Sequence, residues 1–158
     1  MPAWISTRQQ QKSIPMQNRW ISIWLGILLA LASCTDNKVA QCNELILTIN
    51  QTEQELYNIT QTSKADINAL GDIAETTRRA VTDLETLELS SSRLQDFKRQ
   101  FLAFYGNISN DATTIVDAHG EQNMTEADAA YNRLEQTFQG QALLVDNVNA
   151  YCSEGYEP

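Results

Sequence analysis

Few residues in this chain could do chemistry, and their spacing argues against a catalytic or metal site. The single histidine, His119, lies between Asp117 and Glu121 near the predicted end of a helix. A carboxylate metal site in a helical bundle needs Glu-x-x-His pairs and inward Glu residues on facing helices, but position 116 is Val. No paired carboxylates suited to acid–base catalysis fall on the apolar faces. We therefore expect no enzymatic activity, no catalytic residue and no metal ligand.

An aromatic series offers the other candidate site. Its members follow one another at helical spacing: Phe97, Phe101, Phe104 and Tyr105. Aromatic residues spaced in this way are typical of a packed core, which is the expected role here. They could instead line a pocket for a lipid, pigment or quinone. The chain lacks a Cys-x-x-Cys-His motif, and we expect no bound cofactor.

The first 33 residues have the pattern of an export signal. Residues 1–19 carry three basic residues and no acidic one, and an apolar run of 13 residues follows from Trp20 to Ala32. A helix that spans a bilayer needs about 20 apolar residues, so this run is short for a permanent anchor and suits a signal sequence. The run ends in the tetrapeptide Leu31-Ala32-Ser33-Cys34.

This tetrapeptide resembles the lipobox of bacterial lipoproteins. The resemblance implies cleavage between Ser33 and Cys34, and acyl chains such as palmitate on Cys34, which would hold the protein in a bacterial membrane. The protein would then be exported and face the periplasm or a lumen. Thr35 favours the outer membrane and Asp36 weakens that assignment, so the choice between outer and inner membrane stays open. The alternatives are an ordinary secretory signal and an uncleaved anchor.

Charge narrows the range of partners. The chain has 11 Lys and Arg residues against 20 Asp and Glu residues, and removal of the signal would take away three of the bases and none of the acids. Binding to nucleic acid depends mainly on clustered basic residues, so no nucleic-acid partner is expected. An acidic domain is also repelled by an anionic bilayer, which favours a protein that reaches outward from its membrane.

The remainder of the chain is predicted to be helical. It has no Pro between residues 16 and 157, and its apolar residues recur every three or four positions. Possible N-caps precede acidic or amide residues in three pairs: Ser63 with Asp66, Ser92 with Gln95, and Thr125 with Asp128. Gly120 is a plausible helix terminator. The predicted helices cover about 38–62, 64–89, 92–119 and 126–152.

Four helices of similar length with short links predict an all-α protein, an antiparallel up-down four-helix bundle after the signal peptide. Residues 34–37 would form a lipidated tether, residues 38–153 the bundle and residues 154–158 a tail. The apolar repeat also keeps a coiled-coil-like register across Ser63. A three-helix arrangement with one long helix over 38–89 is therefore the alternative.

The remaining cysteines, Cys42 and Cys152, distinguish the two arrangements. An exported domain meets oxidising conditions, and a disulfide requires Cα atoms within about 7 Å of each other. In an up-down bundle the start of the first helix and the end of the fourth lie at the same end. In a long rod they would lie far apart. We predict a Cys42–Cys152 disulfide and hence the four-helix bundle.

The overall pattern, with Cys-Asn at the start of the bundle and Tyr-Cys at its end, is similar to small helical lipoproteins of photosynthetic bacteria, chiefly cyanobacteria. Several such bundles are extrinsic subunits or assembly factors of photosystem II, and the resemblance implies a similar architecture and compartment. The expected function is a non-catalytic, lipid-anchored interaction module, accessory to a membrane or envelope complex through a protein partner that the sequence does not identify. The alternative is a carrier of a small lipid, pigment or quinone.

Overall fold

The structure is a computed structural model that describes residues 21–62 and 66–154, with side chains described from residue 37 onward. Most of the expected signal peptide, the side chains of Ser33 and Cys34, the possible N-cap Ser63 and the end of the tail lie outside the described residues. The chain divides into two compact units, Met1–Asp36 and Asn37–Pro158. The second unit contains the bundle.

The described residues are helical almost throughout, and none of them forms a strand, so the all-α prediction is confirmed. The helices are α1 (Ile21–Thr62), α2 (Ile67–Thr86), α3 (Ser92–Gly120), α4 (Met124–Gln139) and α5 (Gln141–Ser153). Within these residues no helix combines the length and the apolar character needed to cross a membrane.

The second unit is an antiparallel bundle in which α3 packs against α2, α4 and α5. Two ion pairs join neighbouring helices: Arg79 of α2 with Glu55 of α1, and Arg133 of α4 with the buried Asp111 of α3. The alternative with one long helix over 38–89 is wrong. Asp66, just before α2, has an extended backbone with φ −94° and ψ 142°, so helical geometry does not continue from α1 into α2.

The first helix begins at Ile21 and not at residue 38, so residues 34–37, predicted as a tether, are helical. The N-caps of α2, α3 and α4 lie one to three residues from the predicted ones. Asp66 itself caps α2, because its side chain accepts a hydrogen bond from the amide of Asn68. Ser91, and not Ser92, caps α3 through the amide of Leu94. Asn123, and not Thr125, caps α4. In each case the cap is the residue that leaves helical geometry while its side-chain oxygen still reaches an unpaired amide in the first turn.

The predicted fourth helix is two helices. Gly140 separates α4 from α5, and its amide donates to the carbonyl of Thr137 in a tightened last turn. Glycine carries the greatest backbone entropy cost within a helix, so it is the position at which a long helix breaks most readily. The break leaves Gln141 at the start of α5, beside α1.

The core follows the predicted apolar faces most closely along α3. The apolar residues that recur every three or four positions along α3 are all buried: Leu94, Phe97, Phe101, Phe104, Ile108, Ala112 and Ile115. The ring of Phe101 packs edge to face against Phe104 and tilted against Tyr105. The face predicted for the fourth helix is the least accurate, because Tyr131 and Phe138 are exposed.

Candidate partner-binding site

One end of the bundle is closed by a disulfide. Cys42 of α1 is bonded to Cys152 of α5, with 5.8 Å between their Cα atoms, as the sequence predicted. The bond brings the start and the end of the bundle together across 110 residues of chain. We call residues 38–42, 85–99 and 150–154 the disulfide end.

A buried glutamine fastens the link between α2 and α3 to α1 at the disulfide end. The Gln41 amide nitrogen donates to the Ser90 hydroxyl at 2.8 Å, and the Gln41 amide oxygen accepts from the Ser90 backbone N–H at 2.6 Å. The same oxygen accepts from the Ser91 N–H at 3.3 Å. Both ends of the Gln41 amide are therefore satisfied, which is the condition for burying it without loss of stability.

Two side chains of α3 donate to carbonyls at the end of α2 and in the link that follows it. The Lys98 ammonium donates to the carbonyls of Glu85 and Leu87, at 2.9 and 2.8 Å. Gln95 donates to the carbonyl of Leu89 at 2.6 Å. Gln95 therefore does not complete the predicted capping box with Ser92. A cation at a helix C-terminus also interacts favourably with the helix dipole.

Tyr151 joins α5 to the same network. Its hydroxyl and that of Ser91 are 2.9 Å apart, and its ring meets Phe97 edge to face at 5.9 Å between centroids. Lys38 lies over the ring at 4.3 Å and donates to the carbonyl of Glu154 at 2.9 Å. The disulfide end is thus held by a covalent bond, hydrogen bonds from four helices and a cation–π contact.

The opposite end of the bundle is open. Side chains of α1, α2, α3 and α4, together with Asp66, line a cleft of about 530 Å³ there. Its lining consists of Thr60, Asp66, Ile67, Ala69, Leu70, Ile73, His119 and Tyr131. We call residues 59–62, 66–75 and 117–131 the cleft end. Most of the lining is apolar, and Ile67, Leu70 and Ile73 remain only half-buried.

An exposed aromatic ring lines this cleft. Tyr131 is 58% exposed, and Met124, the first residue of the same helix, is 49% exposed. Other large apolar side chains are exposed elsewhere on the bundle: Leu47, Tyr57, Phe138 and Leu143. Isolated exposed apolar residues are common, but an exposed ring beside an apolar cleft is typical of interaction sites. The cleft end is therefore the best candidate for a binding site among the described residues.

The two ends also differ in charge. The cleft end has no Lys or Arg and carries seven acids: Asp66, Asp72, Glu75, Asp117, Glu121, Glu126 and Asp128. Lys64 belongs to the link 63–65, outside the described residues. The disulfide end has four acids and four bases. Asp66 lines the cleft itself, whereas Asp72, Glu75 and Asp117 line neighbouring surface pockets, where Glu75 pairs with Arg78.

The turn beside the cleft has an unusual backbone. Gln122 adopts a φ of 59°, the left-handed conformation that glycine prefers. The amide of Gln122 donates to the carbonyl of His119 at 3.1 Å, and that of Asn123 to Ala118 at 2.8 Å. This pair of bonds is a Schellman motif, so the left-handed residue that ends α3 is Gln122 and not the predicted Gly120.

A polar cluster lies in the middle of the bundle, between the two ends. The carboxylate of Glu53 accepts from the Tyr105 hydroxyl at 2.9 Å and from the Gln141 amide at 2.5 Å. Tyr105 is fully buried, and this burial, reinforced by the charge of Glu53, raises the pKa of Tyr105 far above its usual range. The cluster links α1, α3 and α5, and we assign it a structural role.

Three arginines of α2 and α3 form ion pairs. Arg78 pairs with Glu75, Arg79 with Glu55 and Arg99 with Asp96. Each of these pairs is largely exposed, so we expect little stability from it. His119 lines the cleft, and no group of three or more His, Cys, Asp or Glu residues suited to a metal ion occurs in the described part of the chain.

Comparison with known proteins adds no relative: no family model, no curated protein and no solved structure matches the chain. The site therefore rests on its own geometry.

Proposed function

We propose that this protein is a non-catalytic, lipid-anchored interaction module on the extracytoplasmic face of a bacterial membrane. Acyl chains on Cys34 would provide the anchor, as the lipobox-like tetrapeptide suggests. The cleft end would bind a protein of a membrane or envelope complex. No residue of the bundle has a catalytic role in this proposal.

The observation that carries the proposal is the open apolar cleft at the end opposite the disulfide. Cys42 lies only eight residues after Cys34 in the chain, so an acyl anchor on Cys34 would join the bundle at the disulfide end. A protein held by one end presents the other end to its surroundings. The end so presented is, of the two, the one with an apolar cleft and with an excess of acids among its described residues.

In-cell crosslinking followed by affinity capture from detergent-solubilised membranes tests this function. The chain is compared with Cys34→Ala, which removes the lipidation site, and with Cys42→Ala/Cys152→Ala, which keeps that site and removes the disulfide. We expect a defined partner with the wild type, and a strong loss of capture with Cys34→Ala. A protein that remains alone after crosslinking in the wild type would contradict the proposal.

A carrier of a small apolar ligand is the second candidate, because the cleft volume of about 530 Å³ lies within the range of ligand sites, about 300–1,000 Å³. The aromatic series does not provide such a site. Its rings fill the core, and the cavity beside Phe101 has only about 170 Å³. Mass spectrometry and absorbance of protein purified from its own membrane decide the matter. A stoichiometric lipid, pigment or quinone would support the carrier, and its absence would reject it.

A further inference from the structure

We infer that the cleft end binds a cationic amphipathic segment of a partner protein, with apolar side chains in the cleft and Lys or Arg residues against the surrounding acids. This inference rests on the proposed function and names the chemistry of the partner. It follows from the combination of an apolar cleft with an excess of acids among the described residues near it.

The apolar contribution comes from the cleft itself. Its lining from α2 is made of Ile67, Leu70 and Ile73, which are half-buried in the free protein. The exposed ring of Tyr131 faces the same cleft from α4. Apolar side chains of a partner would remove this surface from water, at about 25 cal/mol for each Å² buried. Helix-in-groove recognition uses anchors of this kind.

The electrostatic contribution comes from the acids around the cleft. Asp66 lines it directly. Asp117, Glu121 and Asp128 are exposed within three residues of the lining residues His119 or Tyr131, and Asp117 lies in a neighbouring surface pocket with Glu75 and Arg78. No Lys or Arg lies among the described residues of this end. Complementary charge across an interface increases the association rate and selects among partners.

The same charge disfavours the other occupants. A second copy of the chain, docked through the same end, would bring two acidic ends together. Nucleic acid and anionic lipid would be repelled in the same way. A neutral small ligand could fill the cleft but would gain nothing from the acids. A cationic segment is the occupant that uses both features.

The test uses the full chain in nonionic detergent and a fluorescent Leu/Lys amphipathic peptide of about four helical turns. The control peptide has Glu in place of every Lys. The charge variant is Asp117→Asn/Glu121→Gln/Asp128→Asn. Its matched control, Glu88→Gln/Glu135→Gln/Asp146→Asn, removes three exposed acids outside the cleft end. Tyr131→Ser tests the apolar contribution, and circular dichroism verifies the fold of each variant.

We expect the Leu/Lys peptide to bind, and the charge variant to bind it about tenfold more weakly, because three exposed ion pairs contribute about twofold each. The matched control should change binding less than twofold, and added salt should weaken binding. Tyr131→Ser should also weaken it. Equal binding of the Glu peptide, or equal losses in the two triple variants, would overturn the inference.

The outcome separates this inference from the proposed function. If a partner is captured in cells and the charge variant retains it fully, the inference of a cationic partner segment is wrong. The proposed function as an interaction module is then unaffected. If no partner is captured in cells, the proposed function itself fails, whatever the peptide does. Self-association of the full chain that Tyr131→Ser abolishes would show that a second copy occupies the cleft, and would reject the inference.

Discussion

The two ends of the bundle are built in opposite ways. The disulfide end has a covalent bond, a fully satisfied buried Gln41, a lysine that caps α2 and a balanced set of charges. The cleft end is held by helix caps and partial packing, and it exposes apolar residues among acids. Regions that bind partners are drawn from the less stable parts of a structure. The comparison suggests that stability and recognition are separated along the bundle axis.

The largest expected effect comes from removal of the disulfide. Cys42→Ala/Cys152→Ala should lower the free energy of unfolding by about 2–4 kcal/mol, since the chain-entropy model gives about 4.7 kcal/mol for a loop of about 100 residues. Urea denaturation of the variant and the oxidised wild type measures this loss. Hydrogen exchange should show the loss of protection concentrated at the disulfide end. A loss below about 0.5 kcal/mol would mean that the bond does not hold this end.

A matched pair of leucines compares the packing of the two ends. Leu94→Ala removes a fully buried side chain at the disulfide end and should cost about 3 kcal/mol, whereas Leu70→Ala removes a half-buried one at the cleft end and should cost about 1 kcal/mol. Denaturation of both variants gives the two values. Equal losses would show that the cleft end is packed as firmly as the disulfide end.

Two features of the bundle could be predicted from the sequence: the apolar face of α3 and the disulfide. All the apolar residues that recur at helical spacing along α3 are buried, because a helix covered on several sides shows an uninterrupted apolar period. The burial of Ser109, Asp111 and Ala118 was not predictable from that period. The disulfide was predictable because the positions of two cysteines and the bundle topology are sufficient to place it. Both features depend on patterns that are regular along the chain.

The cleft was not predictable in the same way. Tyr131 belongs to the apolar period of the fourth predicted helix, and only the three-dimensional packing leaves it exposed. Gln41 was also missed, because its partners Ser90 and Ser91 lie about 50 residues away and no periodicity links them. The break at Gly140 depends on a single glycine, which helices often tolerate. These three features depend on tertiary packing, which the pattern of residues along the chain does not reveal.

The polar cluster of Glu53, Tyr105 and Gln141 should make the free energy of unfolding fall as the pH rises in the alkaline range. Tyr105→Phe should cost about 1–2 kcal/mol at neutral pH, because Glu53 loses a hydrogen-bond donor. Burial raises the pKa of Tyr105 in the folded state above its unfolded value of about 10. Above that pH the unfolded state loses the proton first, so the stability of the wild type falls.

The difference in unfolding free energy between wild type and Tyr105→Phe should therefore narrow as the pH rises above about 10. Subtracting the variant removes the contribution of the other tyrosines and the lysines, which both proteins share. Urea titrations over this pH range provide the measurement. A constant difference would show that Tyr105 titrates alike in both states.

The smallest expected effect is a gain in stability from a substitution at the cleft end. Gln122→Gly should raise the free energy of unfolding by about 0.5–1 kcal/mol, because glycine adopts the left-handed conformation without strain. Gly106→Ala, within α3, is a useful reference: no atom other than the helix backbone and the neighbouring residues lies within 4 Å of the added methyl group. It should stabilise through helix propensity alone, also by about 0.5–1 kcal/mol. A loss of stability in Gln122→Gly would contradict the assigned turn.

Site-specific photocrosslinking in cells tests the separation of the two ends most directly. A photoreactive residue replaces Tyr131 at the cleft end in one variant, and the exposed Ser153 at the disulfide end in the other. We predict a discrete protein adduct from position 131, none from position 153, and loss of the first adduct when Cys34→Ala is added. An adduct from position 153 without one from position 131 would contradict the account.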